Sequence, residues 1–518
     1  QGRVQQLSIS SSYATPRSSF YFSGGLRNEK GVLTGNDYTR YTGKVKMANQ
    51  LTKKLSIGAN FGINFANYNN MPTGYSNGGG FNAAQLNLPV LPYYNAEGNY
   101  FYASDPAIYN LPGTNVKSFL NKNDFDNEDH TRRIAIAANL GYQFIPGLNL
   151  KLEAAMDQFQ HTRRDYLSRR LRYGSLGSGA GREGAPVAYA AYEKYTKNVF
   201  NLLATLHFKR VMGRHNLSAV AGTEFYYSDN PYFFAEGESF VSDFLRQPAA
   251  AAYRNQNTAE ALTTNTNAVL GYFASAGYVY KERFLLNGTV RVDAGSRFGA
   301  DNKHQVYPAV SAGYLVLNGI NYLKVRAGYG WSGNYGIGNY ANLEKWGMAG
   351  TSRFLLQAGV QALALGSPSL KPERIEEINA GIDFSVLNNR IGGSIDVYNR
   401  ITHDLILRFP TPLSSGVIDP GLLLNAGKMR NRGIEVSLNT NNITGAFTWS
   451  TGIAVAHNKN KILSLAGLTG EQVSAHPNIT NIEGHSTGLY YLAEYAGIDA
   501  ATGQELIYDQ DGKIVPAI

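Results

Sequence analysis

Leu55-Ser56-Ile57-Gly58-Ala59-Asn60-Phe61-Gly62-Ile63-Asn64-Phe65 decides the fold. Leu55, Ile57, Ala59, Phe61, Ile63 and Phe65 fall on one side of an extended chain, and Ser56, Gly58, Asn60, Gly62 and Asn64 on the other. A period of two is that of a β-strand with unlike faces. The run matches the roughly 9–11 residues that a tilted strand needs to cross a bilayer.

The pattern recurs outward from this segment. Leu148, Leu150, Leu152, Ala154 and Met156 alternate with Asn149, Lys151, Glu153 and Asp157. Phe284, Leu286, Val290 and Val292 oppose Asn287, Thr289, Arg291 and Asp293. Ala380, Ile382, Phe384 and Val386 alternate with Asn379, Asp383 and Ser385, and Ile434, Val436 and Leu438 with Glu435, Ser437 and Asn439. Lys151, Glu153, Arg291 and Asp293 cannot enter a dry core without a large desolvation cost. In a soluble sandwich they face water and the apolar side is buried. In a membrane barrel they face a wet lumen and the apolar side meets lipid.

Strand spacing separates the two. About seventeen strands are expected, at 7–13, 19–27, 38–48, 55–66, 132–144, 148–160, 196–208, 216–228, 268–281, 284–294, 308–317, 322–331, 375–387, 391–401, 431–441, 446–457 and 488–496, with ends uncertain by about 2–4 residues. Short and long connections alternate throughout. Short ones include 49–54, 145–147, 282–283, 318–321 and 388–390; the long ones are 67–131, 161–195, 229–267, 332–374, 402–430 and 458–487. Outer-membrane barrels have short turns at one end and long loops at the other. The expected fold is therefore all-β, a transmembrane antiparallel β-barrel with long extracellular loops. Tyr41, Phe65, Tyr142, Phe144, Phe208, Tyr278, Tyr280, Phe284, Tyr314, Tyr329, Trp331 and Trp449 sit near strand ends. Amphipathic rings concentrate there at membrane–water interfaces, although the β-propensity of aromatics accounts for part of the set.

Composition agrees. The 518 residues include 56 Gly, 35 Tyr, 24 Phe, 3 Trp and no Cys, with 43% hydrophobic and 16% charged residues. So many aromatics exclude a disordered chain, and the lack of Cys excludes a disulfide scaffold and any thiolate metal site. No run of about 18 apolar residues is present, so no transmembrane helix is expected, which leaves a barrel as the way to cross a membrane. The net charge of +9 comes from dispersed residues, the densest being Arg169-Arg170-Leu171-Arg172, and this argues against a nucleic-acid stripe.

No catalytic constellation emerges. Gly336-Ile337-Gly338-Asn339-Tyr340-Ala341 fits a dinucleotide pattern, but no amphipathic helix follows it. Asp509-Gln510-Asp511-Gly512 begins like a calcium loop, yet Lys513 stands where a ligand belongs, so a hairpin turn is the better reading. Nine scattered His residues form no metal motif. The expectation is no enzyme, no cofactor and no metal. Recognition then falls to the long loops, since binding residues sit on loops held by a rigid scaffold. The candidates are Tyr93, Tyr94, Tyr100 and Tyr102 in 67–131, and Tyr335, Tyr340 and Trp346 in 332–374. Flat aromatic faces beside Asn and Asp suit sugar rings or peptides; packing of the loops against one another is the equal alternative.

Several segments together resemble the SusC/RagA-like TonB-dependent transporters. They are Tyr280-Lys281-Glu282-Arg283-Phe284-Leu285-Leu286, Arg291-Val292-Asp293-Ala294-Gly295-Ser296-Arg297-Phe298-Gly299 and Leu323-Lys324-Val325-Arg326-Ala327-Gly328-Tyr329-Gly330 with Ser332-Gly333-Asn334. Leu370-Lys371-Pro372-Glu373, Asn425-Ala426-Gly427-Lys428-Met429-Arg430-Asn431-Arg432-Gly433 and Gly497-Ile498-Asp499 follow in the family's order. The resemblance implies a barrel of about 22 strands, with a plug domain and about four C-terminal strands absent from this sequence. It also implies import of oligosaccharides or oligopeptides across a bacterial outer membrane, a SusD-like surface lipoprotein as lid hinged on loops 332–374 and 402–430, and energy from the TonB complex. The rival expectations are a passive outer-membrane porin and a soluble β-rich carbohydrate-binding protein.

Overall fold

A computed structural model describes residues 2–69, 92–94, 96, 98, 121–168, 188–254, 265–347, 353–354, 357–417, 421–473, 478–509 and 511–517. The chain divides into two compact units. One comprises 1–207 with 222–270, the other 208–221 with 271–518. Both are built from long antiparallel strands, and no described helix is long and apolar enough to cross a membrane.

In the first unit the strand Leu55–Asn69 pairs on one side with Asp37–Gln50 and on the other with Phe125–Ile145. Register carries the alternation across the ladder. Ile57 faces Leu140 and Ile63 faces Ile134, while Asn64 faces Arg133. On the polar face Arg133 grips Asp157 at 2.6 Å. The apolar face has no cover: Ile57, Phe61 and Phe65 are each about two-fifths exposed, at 40%, 40% and 41%. A soluble sandwich would bury that face, so this observation counts against the soluble reading.

The second unit repeats the design. Val325, Ile382, Ile395, Val436 and Val455 are successive register partners, an apolar row across five strands from Tyr322–Asn334 to Trp449–Ser464. Four of them are exposed, Val455 by 61%. One residue along, on the opposite face, Arg326, Gly381, Asp396 and Glu435 form the matching polar row. Arg326 there spans two carboxylates, Asp383 at 3.1 Å and Asp396 at 2.7 Å. Short turns close the opposite end. Lys281 and Glu282, both with positive φ, link Tyr280 to Phe284 as a type I′ turn requires.

Buried apolar side chains lie instead beyond the strands' apolar rows. Tyr166, Ala188, Ala190, Phe240 and Ala251 form a cluster in the first unit, and Phe298 and Leu370 are fully buried in the second.

Every expected strand is present except the last. The stretch 488–496 is not one long strand: Leu489–Tyr490 pairs with Ile479–Thr480, and Glu494–Ile498 belongs to a small sheet with Glu505–Tyr508 and Ile514–Pro516. Residues 491–493, between Leu489–Tyr490 and Glu494–Ile498, belong to neither strand, and Gly497, with a φ of 126°, accompanies a register shift inside the second. The strands also run further than expected into the long connections. Phe125–Ile145, Leu148–Leu167 and Tyr189–Met212 extend into 67–131 and 161–195. The expected loop 402–430 is mostly hairpin, since Ile391–Pro410 stays paired with Gly421–Ile443 as far as Pro410 and Gly421.

Candidate functional site

The long-connection end of the second unit is braced by residues from three segments. Gly299 approaches the backbone of 368–370 so closely that a Cβ there would lie 1.7 Å from the Pro368 carbonyl oxygen. Its N–H donates to the Leu370 carbonyl at 2.8 Å, and Asn302 Nδ2 donates to the Ser369 carbonyl at 2.7 Å. Asn342 Nδ2 donates to the Phe298 carbonyl at 3.0 Å, and the Ser367 N–H donates to the Asn342 carbonyl at 3.0 Å. Buried Phe298 and Leu370 lie within this lacing.

From there the segment is tied to the next hairpin. Asn425 Nδ2 donates to the carbonyls of Lys371 at 2.8 Å and Asp404 at 2.9 Å, while its Oδ1 accepts from the Lys371 N–H. Asp404 receives Lys371 Nζ at 3.1 Å and Arg374 Nε at 2.8 Å. Burial opposes ionisation of the Asp404 carboxyl, but the hydrogen bonds from Arg374 and Lys371 outweigh it and hold its pKa below the usual carboxylate range. Glu373 accepts from the Ile406 N–H at 3.0 Å and from Asn334 Nδ2 at 2.8 Å. Arg374 stacks over Trp331 at 5.4 Å, and Trp331 stacks on His403. The quoted segments around 296–299, 332–334, 370–373 and 425–428 thus supply much of one framework. Asp404 and His403 belong to it too, although no sequence pattern singled them out.

The first unit has a counterpart. Tyr166 donates to Asp243 at 2.7 Å and packs edge-on against Phe240. Arg246 lies over the Tyr166 ring at 4.8 Å and reaches Asp126 at 3.4 Å and the Asn123 carbonyl at 3.2 Å.

These frameworks hold the aromatic candidates differently. Tyr335 is half-buried, edge-on to Phe298 at 5.3 Å, with its hydroxyl 3.3 Å from that of Tyr307. Burial pushes its hydroxyl pKa well above that of an ordinary tyrosine. Its carbonyl accepts from Arg297 Nη1 at 2.9 Å, and Arg297 Nε also donates to Asn339. Tyr340 is partly buried at a positive φ of 60°. Trp346 stands 61% exposed on a short strand, Lys345–Gly347, paired with Gln361–Ala364. Tyr93 and Tyr94 are exposed; Tyr100 and Tyr102 lie outside the described residues. Residues 336–341 form a turn-rich segment with no helix. Asp509 Oδ1 accepts the backbone N–H of Asp511 and Lys513, closing the hairpin turn. No group of three or more acidic or His side chains among the described residues could hold a metal ion.

A braced end carrying exposed rings can present a recognition surface. Comparisons with known proteins place the chain in a family. A family model described as TonB dependent receptor-like, beta-barrel matches residues 84–513. TonB-dependent receptor P3 of Formosa agariphila is 26% identical over 563 aligned residues, covering 99% of this chain and 53% of that protein. TonB-dependent receptor SusC of Bacteroides thetaiotaomicron is also 26% identical, covering 94% of this chain and 50% of that protein. The solved RagAB peptide transporter has the same fold, with a TM-score of 0.83 at 22% identity, over 99% of this chain and 57% of that one. The chain spans about half the length of the curated relatives it matches. With its all-β architecture, uncovered apolar strand faces and family match over most of its length, the chain belongs to the TonB-dependent receptors, whose β-barrel portion it represents.

Proposed function

We propose that the chain is the barrel of an outer-membrane importer that takes up oligosaccharides or oligopeptides with a SusD-like lipoprotein lid, energised through the TonB complex. The observation that carries this reading is the braced loop end above uncovered apolar strand faces. A lid needs firm seats to hinge on, and the lacing of 367–374 to 402–406 and Asn425 supplies one. The relatives' names add weight: one is SusC, and the RagAB structure is described as a peptide transporter. Ligand is captured between loops and lid, and in each unit taken by itself the exposed rings are the candidates: Tyr93 and Tyr94 in the first, Trp346 in the second, with Tyr100, Tyr102, Tyr335 and Tyr340 as further candidates from the same connections. Stacking on such rings tolerates varied ligands because every sugar or aromatic side chain has a flat face. The chemistry is transport without bond making, so no residue is assigned a catalytic role.

The test is uptake of fluorescent oligosaccharide and oligopeptide pools by cells carrying or lacking the receptor. Uptake of one pool that requires the receptor, the proton-motive force and TonB supports the reading. Uptake that persists without TonB indicates a passive porin. Absence of the protein from the outer-membrane fraction removes the membrane assignment itself.

A further inference from the structure

The outward, apolar face of the second unit ends in an unusual block of charge. In the ladder between Gly421–Ile443 and Trp449–Ser464, Arg430 is the register partner of Lys461, and Arg432 of Lys459. All four lie on the face of Ile434, Val436, Val455 and Ile453, because residues two apart share a side. Strand geometry places them in a rectangle of about 7 by 5 Å. Like charges directly opposite one another destabilise a sheet. Here two such pairs stand in succession, and none of the four side chains forms an ion pair or side-chain hydrogen bond among the described residues. Glu376, on the same face two strands away, is engaged by His403 at 2.9 Å and Tyr329 at 3.0 Å. The block therefore calls for an external anion.

Its depth says which anion. At the other end of the same ladder Ile443 pairs with Trp449, both exposed. A tilted strand crosses the hydrocarbon in about 9–11 residues. Arg432 and Lys459 stand that far along their strands from Ile443 and Trp449, so the cations begin where the hydrocarbon ends, on the side of the long connections. Basic side chains at that level attract anionic lipid headgroups. We propose that Arg430, Arg432, Lys459 and Lys461 form a binding site on the barrel's outer wall for the phosphate of a phosphorylated glycolipid in the outer leaflet.

The proposal rests on the membrane placement argued above. Its test uses receptor extracted from outer membranes, stripped of lipid and titrated with phosphorylated lipid A, dephosphorylated lipid A and inorganic phosphate. Phosphorylated lipid A should bind at least about tenfold more tightly than the dephosphorylated form. The variant R430Q/R432Q/K459Q/K461Q should lose that preference, and R430K/R432K should keep it. Retention of the heat-modifiable gel shift certifies folding; if the fourfold variant fails it, R432Q/K459Q is read instead. Equal affinity for the two lipids would mean the side chains merely reach for the interface and overturns the site. Displacement of the lipid by millimolar inorganic phosphate overturns it as well. A receptor that stays in the outer membrane while showing any of these results fails this inference alone.

Discussion

Lys371 and Asn425 clasp each other's polar groups reciprocally: the Lys371 N–H donates to Asn425 Oδ1 at 2.9 Å, and Asn425 Nδ2 returns a bond to the Lys371 carbonyl at 2.8 Å. The side chain thereby completes a backbone that no strand partner satisfies. Asn425→Ala leaves the donor and acceptor of Lys371, and the Asp404 carbonyl, without these partners. A cost of about 1–3 kcal/mol is expected, local to the brace. Hydrogen exchange of 367–374 and 402–406 should accelerate while the exchange of 322–330 stays unchanged. Unchanged exchange at the brace would refute the structural role.

Gly299 is a close-approach glycine with an ordinary φ of −62°, so space and not backbone conformation fixes it. Gly299→Ala should push 368–370 away and cost about 1–3 kcal/mol or more. Gly288, with open space around its Cβ position, should accept Ala with little effect. Limited proteolysis of the two variants in one detergent compares them directly. Equal cleavage within 365–374 would contradict the packing.

The acid response of the brace follows from Asp404. Its pKa is held below that of an unfolded carboxyl, so its contribution is complete above about pH 4 and fades as the pH falls through its lower folded value. Exchange at 371–374 should therefore be flat from neutrality down to that point and rise below it. Asp404→Asn should abolish the rise and show looser exchange at neutral pH. A rise already present near pH 6 would implicate another group.

Arg326 neutralises Asp383 and Asp396 together on the polar face. Removing it leaves two carboxylates on neighbouring strands of one face with only Lys324, 3.9 Å from Asp383, beside them, and Arg326→Gln should cost about 1–3 kcal/mol of barrel stability. Adding Asp396→Asn should restore part of that loss. Thermal loss of heat-modifiability measures both, and strictly additive effects would show that the groups do not interact.

What could be read beforehand depended on whether a face kept its period. Leu55–Asn69 was legible because lipid-like and wet surroundings alternate along it without interruption. The hairpin beyond 401 was not. Asp404 adopts a positive φ of 58°, and register shifts fall between Thr402, Leu405 and Ile406. Bulges move side chains to the other face, so the alternation stops although the pairing continues to Pro410. Stretch 488–496 departs in the opposite sense: its apolar composition continues through Leu492 and Ala493, although residues 491–493 are in no strand. The brace was visible only as recurring segments; its hydrogen bonds join positions such as 371 and 425 that no local pattern relates.

Among the aromatic candidates, burial separates two kinds of variant. Tyr335 is packed against Phe298 and bonded to Tyr307, so Tyr335→Ala should loosen the loop framework and lower capture by way of disorder. Trp346 stands exposed, so its removal leaves the framework intact. If Trp346 stacks on ligand, Trp346→Ala should weaken binding by about 1–3 kcal/mol, roughly 5- to 100-fold, with unchanged exchange at 367–374. Trp346→Phe should recover much of it, since the ring face remains. Fluorescence titration of the purified receptor with the imported pool reads the affinity directly. Full affinity in Trp346→Ala would remove the residue from the ligand surface and shift attention to Tyr93 and Tyr94.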